Sequence, residues 1–72
     1  MELSAAELRI WLAVHRAQLT EAAASDPLVS SLLAPVKNKV AFVALFLEDC
    51  GVTFDIEDDD IQECLMAAAM DL

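Results

Sequence analysis

The first third of the chain places an apolar side chain at almost every third or fourth position, the spacing of one helix face. The residues on this stripe are Leu8, Trp11, Leu12, Val14, His15 and Leu19. Ser4 and Glu7 precede it with the spacing of a capping box, in which each side chain accepts a hydrogen bond from the other residue's amide. Pro27 disfavours helical geometry at Asp26. The pattern therefore predicts a first helix over residues 5–23.

Residues 25–34 are predicted to form a loop that crosses the bundle, since Pro27 interrupts the preceding pattern. The core should cover its apolar side chains, which are Leu28, Val29, Leu32 and Leu33. A second helix is predicted over residues 35–49, because Pro35 suits the first helical position and Gly51 suits the end of the last turn. One face of this helix carries Val36, Val40, Val43 and Leu47.

The last part of the chain combines an acidic run with a final apolar repeat. Negative charge favours a helix N-terminus because it complements the helix dipole, and Asp60 and Glu63 have capping spacing. The pattern predicts a last helix over residues 60–71, after a short helical turn around residues 57–60. The expected fold is all-α: one domain over residues 1–72, a small four-helix bundle of three main helices and one short helix.

The charges are distributed unevenly along the chain. Of 72 residues, 13 are Asp or Glu, 4 are Lys or Arg and 58% are hydrophobic, for a formal net charge of −9. Residues 1–39 are neutral overall, so residues 40–72 carry the whole −9. Disordered chains are poor in apolar residues and nucleic-acid binding needs a basic face, so both are disfavoured. The acidic half is typical of a surface that meets a basic partner, and equally of a surface that only aids solubility.

No catalytic or metal-binding motif is found. A calcium loop that starts at Asp55 would need glycine at its sixth position and glutamate at its twelfth, where the chain has Asp60 and Met66. We therefore expect no metal site, with loose binding of divalent ions by the acidic run as the alternative. There is also no nucleophile and base pattern and no glycine-rich phosphate loop, so the protein is not expected to be an enzyme.

The two cysteines and the start of the chain indicate a cytoplasmic protein. Cys50 and Cys64 do not make a disulfide scaffold; we expect free thiols in a reducing compartment. The N-terminal segment lacks the pattern of a signal peptide. The longest apolar run, Val40–Leu47, is too short to span a membrane.

The order of these elements and several segments resemble the acyl carrier protein family. The segments are Glu7-Leu8-Arg9-Ile10-Trp11-Leu12, Leu28-Val29-Ser30-Ser31-Leu32, Val40 with Phe42 and Val43, Leu47-Glu48-Asp49-Cys50-Gly51-Val52-Thr53-Phe54, and Glu57-Asp58-Asp59-Asp60-Ile61. The resemblance implies a small acidic helical bundle that works with enzymes of acyl metabolism. It also implies that Cys50 is a small buried hydrophobe, because the family has a core phenylalanine at this position. In this family, the serine of an Asp-Ser-Leu motif at the start of the second helix carries 4'-phosphopantetheine.

The chain departs from the family at this attachment motif. In the register of the resemblance, Pro35, Val36 and Lys37 take the place of Asp-Ser-Leu. Valine has no hydroxyl group to phosphorylate, so no cofactor is expected at Val36. The alternative is that Ser31 or Ser30 carries 4'-phosphopantetheine through a shifted loop.

The resemblance and the departure lead to one main hypothesis. The chain would be a non-catalytic protein-interaction module in fatty-acid, polyketide or related acyl metabolism, with an acyl-pathway enzyme as its protein partner. The predicted partner-contact residues are Val36, Lys37, Lys39, Val40 and Phe42 on the second helix, and Asp55, Glu57, Asp58 and Asp59 in the acidic run. Two alternatives stay open: a functional carrier modified on Ser31 or Ser30, and a self-assembling helical subunit, in its simplest form a homodimer.

Overall fold

The computed structural model describes all 72 residues and contains five α-helices. They are α1 (Ala5–Val14), α2 (Arg16–Ala24), α3 (Pro27–Leu32), α4 (Val36–Asp49) and α5 (Asp59–Met70). Helices account for 71% of the chain and there are no strands, although Glu2 and Thr53 form one isolated parallel bridge. The predicted all-α fold, a small helical bundle, is confirmed.

The first predicted helix begins as expected but is interrupted in its middle. The Ser4 hydroxyl accepts from the Glu7 amide at 3.3 Å, and the Glu7 carboxylate accepts from the Ser4 amide at 3.0 Å. A single helix over 5–23 is wrong, because His15 has φ −99° and ψ 13°, outside the helical region. Its ring Nδ1 lies 2.8 Å from the Trp11 carbonyl oxygen, which also accepts from the His15 amide at 3.0 Å. The ring and the amide of His15 thus share one carbonyl oxygen, and the interruption of the helix coincides with this local contact.

Residues 27–32 form a helix, so the prediction of a loop over 25–34 is wrong for this part. The Asp26 carboxylate accepts from the Leu28 amide at 2.9 Å, and Pro27 is the first helical residue. Pro27 ends the pattern before it, as predicted. Its fixed φ also favours the first turn of a new helix, where its missing N–H costs nothing.

The second predicted helix matches α4 to within one residue. Pro35 is the N-cap, with an extended ψ of 139°, rather than the first helical residue. Gly51 has φ 77°, a left-handed conformation that glycine adopts at little cost. Its amide donates to the Glu48 carbonyl oxygen at 3.0 Å. The predicted place of Gly51 just after the helix is confirmed.

The last helix begins one residue earlier than predicted and has a different cap. Asp58 is the N-cap of α5, and its carboxylate accepts from the Asp60 amide at 2.9 Å. The predicted capping pair of Asp60 and Glu63 is therefore wrong. A separate short helix around residues 57–60 is also absent, because residues 56–57 form only a turn before α5. The short helix of the bundle is α3 instead.

The core lies where α1 and α4 pack against α5. Ten buried residues form one cluster: Leu8, Leu12, Leu19, Val43, Leu47, Val52, Ile61, Cys64, Leu65 and Ala69. The segment before α1 is joined to the α4–α5 loop, because the Thr53 amide donates to the Met1 carbonyl at 2.7 Å and the Leu3 amide donates to the Thr53 carbonyl at 3.0 Å. These bonds place the start of α1 beside the loop that leads into α5.

Two expectations about burial are corrected by the structure. Leu33 is buried, but Leu28 and Leu32 are 69% and 60% exposed, so the core does not cover them. Cys50 is exposed at the C-cap of α4, beyond the last helical turn that packs on the core, and Cys64 is buried; both thiols are free. The longest helix, α4, has 14 residues, and none of the helices has the length and apolar character needed to cross a membrane.

Candidate interaction surface

The junction of α3 and α4 presents large apolar side chains to solvent. Leu28 and Leu32 are four residues apart and therefore share one face of α3. No residue of α3 is buried. Val36, the first residue of α4, is 43% exposed, and Lys37 beside it is also exposed. We call Leu28, Leu32, Val36 and Lys37 the junction surface.

Hydrogen bonds and one buried leucine hold the junction surface in place. The Asn38 side-chain amide donates to the Leu32 carbonyl oxygen at 2.7 Å and so ties the first turn of α4 to the end of α3. Leu33, 8% exposed, anchors the connection in the bundle, and its amide donates to the Val29 carbonyl oxygen at 3.0 Å. The exposed leucines are therefore carried on a defined helix rather than on an irregular loop.

Positive charge adjoins this apolar surface. Lys37 and Lys39 are the only lysines in a chain whose net charge is −9. Lys39 is partly buried and lines a cavity of about 220 Å³ together with Ser30, Leu33 and Leu72. The junction surface is therefore an apolar patch with a basic edge on an acidic protein.

The other predicted contact residues on α4 are less accessible. Val40 and Phe42 are partly buried and pack against the core cluster. Beyond them, Phe46 meets Trp11 of α1 edge to face, with ring centroids 6.1 Å apart. These side chains contribute to the stability of the bundle. Of the predicted contact residues on α4, the exposed ones are Val36 and Lys37 in its first turn.

The acidic residues predicted as contacts lie at the opposite end of the α4–α5 pair. Asp55 and Asp58 line a cavity with Glu2 near the starts of α1 and α5, whereas the Lys39 cavity includes Leu72 after the end of α5. The structure therefore separates the predicted contact residues into a basic, apolar group and an acidic group. It does not bring them together in one site.

Two of these acidic residues have local structural roles. The Asp55 carboxylate accepts from the Glu57 amide at 3.0 Å, and Asp58 is the N-cap of α5. Glu57 and Asp59 are exposed. No three His, Cys, Asp or Glu side chains are arranged to hold a metal ion. The acidic run is thus a turn followed by a helix cap, with its remaining charges in solvent.

The two candidate attachment serines are both exposed on α3. They do not lie at the start of α4, where the resemblance places the attachment serine of the carriers. That position is Val36. Modification of Ser31 or Ser30 would therefore occur within a different helix from the one that carries the arm in the family.

The polar groups of the chain show no arrangement typical of catalysis. Hydrogen bonds that involve Ser, Thr and Cys side chains have backbone partners, as at Ser4, Ser25 and Cys64. The pKa of Glu7 is held below its ordinary value by the hydrogen bond from the Ser4 amide and then by the Ser4 hydroxyl. This shift is explained by the hydrogen bonds of the helix cap.

Leu28 and Leu32 are surface residues that the sequence pattern led us to expect in the core. A signal was present, because Asp26-Pro27 is a favourable N-cap and first-position pair. A helix that begins there places the two leucines on one face. What the local pattern could not show is that this face points away from the core.

No protein-family model, curated protein or solved structure matches the chain. Membership of the acyl carrier protein family therefore stays a prediction that rests on the short segments that resemble it. The case for a binding function rests on the junction surface itself.

Proposed function

We propose that the chain is a small, non-catalytic protein-interaction module that docks through the junction surface. The observation that supports this most strongly is the pair Leu28 and Leu32, more than half exposed on a helix that buries no residue of its own. Burial of a leucine side chain contributes about 1.5–3 kcal/mol. Contiguous apolar side chains that a small bundle leaves exposed are typical of a binding surface.

The chemistry of the junction surface defines the partner. Two leucines and a valine fit an apolar depression, and Lys37 at the edge favours acidic side chains around it. The bulk of the protein is acidic and repels such a rim at long range. We therefore centre the partner contact on the junction surface, where exposed leucines and the exposed Lys37 are found on two consecutive helices.

The resemblance to acyl carriers supports a finer version of this proposal. The partner enzymes of that family contact its second helix, and the resemblance aligns α4 with that helix. We therefore propose an enzyme of fatty-acid, polyketide or related acyl metabolism as the partner. With Val36 in place of the attachment serine, the chain would position or regulate that enzyme rather than deliver an acyl group to it.

The test is to isolate partners with the wild-type chain and with two matched double variants. Leu28→Asp with Leu32→Asp places charges on the junction surface. Ile10→Asp with Val14→Asp is the control, because these residues have the same spacing on α1 and are 66% and 70% exposed. We expect the α3 variant alone to lose the partner, with at least about a tenfold rise in Kd once that partner is purified.

Two outcomes of this experiment would contradict the proposal. Equal retention by both double variants would show that α3 is not the docking face. Loss with the α1 variant alone would show that the partner binds at α1 instead. Far-ultraviolet circular dichroism of each variant checks that the helices persist.

Two further assays address the alternative functions. Incubation with a phosphopantetheinyl transferase and coenzyme A should leave the mass unchanged. A mass gain that Ser31→Ala or Ser30→Ala abolishes would show that the chain is a carrier. In sedimentation equilibrium, self-association that the Leu28→Asp, Leu32→Asp variant disrupts would make a second copy of the chain the partner.

A further inference from the structure

A groove separate from the junction surface runs between α1–α2 and α5. It has a volume of about 250 Å³. Three buried residues, Leu12, Leu19 and Cys64, form part of its wall. Arg9 and Arg16 also line it, from the α1–α2 side.

The groove contains half of the basic residues of the chain. Only four Lys and Arg residues are present in total, and two of them line this groove. Arg16 approaches Asp71 at 3.8 Å, with the two side chains 66% and 51% exposed, so this ion pair is weak. Arg9 forms no ion pair. Guanidinium donors are therefore available beside an apolar wall.

The charges around the groove differ from those of the rest of the surface. Glu63 and Asp71 stand on the α5 side and balance the two arginines, on a protein whose net charge is −9. The cavity that contains Lys39 shares Thr20 and Asp71 with this groove, so a third cation borders its far end. An anion meets less repulsion here than at the acidic end of the molecule.

We propose that this groove binds a small amphiphilic carboxylate. The apolar tail lies against Leu12, Leu19 and Cys64, and the carboxylate accepts hydrogen bonds from Arg16 or Arg9. Arginine suits this role because its planar fork of donors matches the two carboxylate oxygens. Ligand binding here is independent of partner docking, since none of the four junction-surface residues lines the groove.

The volume limits the size of the ligand. A closed apolar cavity of roughly 150 Å³ holds benzene, so 250 Å³ accommodates a tail of roughly eight carbon atoms. Drug-sized ligands need about 300–1,000 Å³, which excludes nucleotide-sized molecules. Because the groove is partly open to solvent and the ligand displaces Asp71 from Arg16, we expect a Kd on the order of 1 mM.

Octanoate is the probe, and nuclear magnetic resonance of the ¹⁵N-labelled chain is the measurement. We expect saturable shifts of amides that border the groove, such as those of Leu12, Leu19 and Ala68. Acetate, which lacks the tail, and octan-1-ol, which lacks the charge, should each bind at least about fivefold more weakly. No saturable shift up to about ten times the expected Kd, or shifts confined to Leu28 and Leu32, would overturn the proposal.

Three variants test the two halves of the site. Arg9→Gln with Arg16→Gln should raise the Kd for octanoate by about five- to tenfold and leave octan-1-ol unaffected. Ala67→Leu, at an exposed position that lines the groove, should weaken the binding of both octanoate and octan-1-ol, because the larger side chain fills part of the groove. Lys37→Gln removes one positive charge outside the groove and should leave the Kd values of both octanoate and octan-1-ol unchanged. Equal effects of the arginine pair and of Lys37→Gln would show that net charge, not the groove, governs binding.

Discussion

α5 and α3 begin in the same way but differ in how much of each helix is buried. Asp58 accepts from the Asp60 amide and Asp26 accepts from the Leu28 amide, both at 2.9 Å. α5 then buries Ile61, Cys64, Leu65 and Ala69, and α3 buries nothing. An aspartate cap therefore determines where a helix starts, but not whether its apolar face becomes core or surface.

The difference has an energetic reason. α5 has 12 residues and packs against both α1 and α4, so the loss of its helix would expose the core. α3 has six residues, too few to be stable as an isolated helix. Its cap, Leu33 and the Asn38 bond to the Leu32 carbonyl hold it in place. Leu28 and Leu32 of α3 are thus free for another contact, and Leu65 of α5 is not.

The largest difference in stability is expected when one leucine in each helix is truncated to alanine. Leu65→Ala removes a side chain that is 1% exposed and should lower the free energy of unfolding by about 2–5 kcal/mol, because it leaves a cavity. Leu28→Ala should change it by no more than about 0.5 kcal/mol. Urea denaturation monitored by circular dichroism measures both. Similar losses for the two variants would show that Leu28 belongs to the core.

A smaller effect is expected when the two caps are removed. Asp58→Ala should lower the free energy of unfolding by about 1 kcal/mol, because α5 cannot unravel without opening the core. Asp26→Ala should leave this free energy nearly unchanged and instead speed amide hydrogen exchange within α3. Asp58→Asn and Asp26→Asn are the controls that keep a capping oxygen. If Asp26→Ala lowered global stability as much as Asp58→Ala, α3 would be part of the cooperative core.

The smallest effect concerns Glu7, which caps the helix that packs against α5. Hydrogen bonds from the Ser4 amide and hydroxyl lower its pKa below the ordinary 4.5. These hydrogen bonds favour the ionised carboxylate in the folded protein. Their contribution to the free energy of unfolding is therefore complete above pH 4.5 and is lost as the pH falls through the lower folded-state pKa of Glu7. A carboxyl ¹³C titration should show the low midpoint, and Ser4→Ala should move it part of the way back. A Glu7 midpoint at or above 4.5 would contradict the capping box seen here.

The parts of the fold that depend on local spacing were predictable from the sequence. Ser4 and Glu7 specify the start of α1, Gly51 marks the end of α4, and both features are seen in the structure. The interruption at His15 was not predictable, because residues on either side continue the same apolar stripe. It becomes visible only when the ring nitrogen is seen to contact the Trp11 carbonyl oxygen.

The candidate surface was predictable only in part. Val36 and Lys37 were named from their place in the sequence and are exposed, but Leu28 and Leu32 were expected in the core and complete the surface instead. The acidic residues from Asp55 to Asp59 were grouped with them and lie at the far end of the bundle. A pattern of residue types does not indicate how far the start of α4 lies from the start of α5 after folding.

By itself, the sequence determined that this chain is helical, where α1, α4 and α5 begin to within one residue, and that its negative charge belongs to the second half. These properties depend on contacts within three or four residues, which the order of residues specifies directly. Only the tertiary structure decided that Leu65 is core and Leu28 is surface, and that two of the four cations line one groove. Burial and charge neighbourhood depend on residues that are distant in the chain, so they exist only once α1, α4 and α5 have packed together.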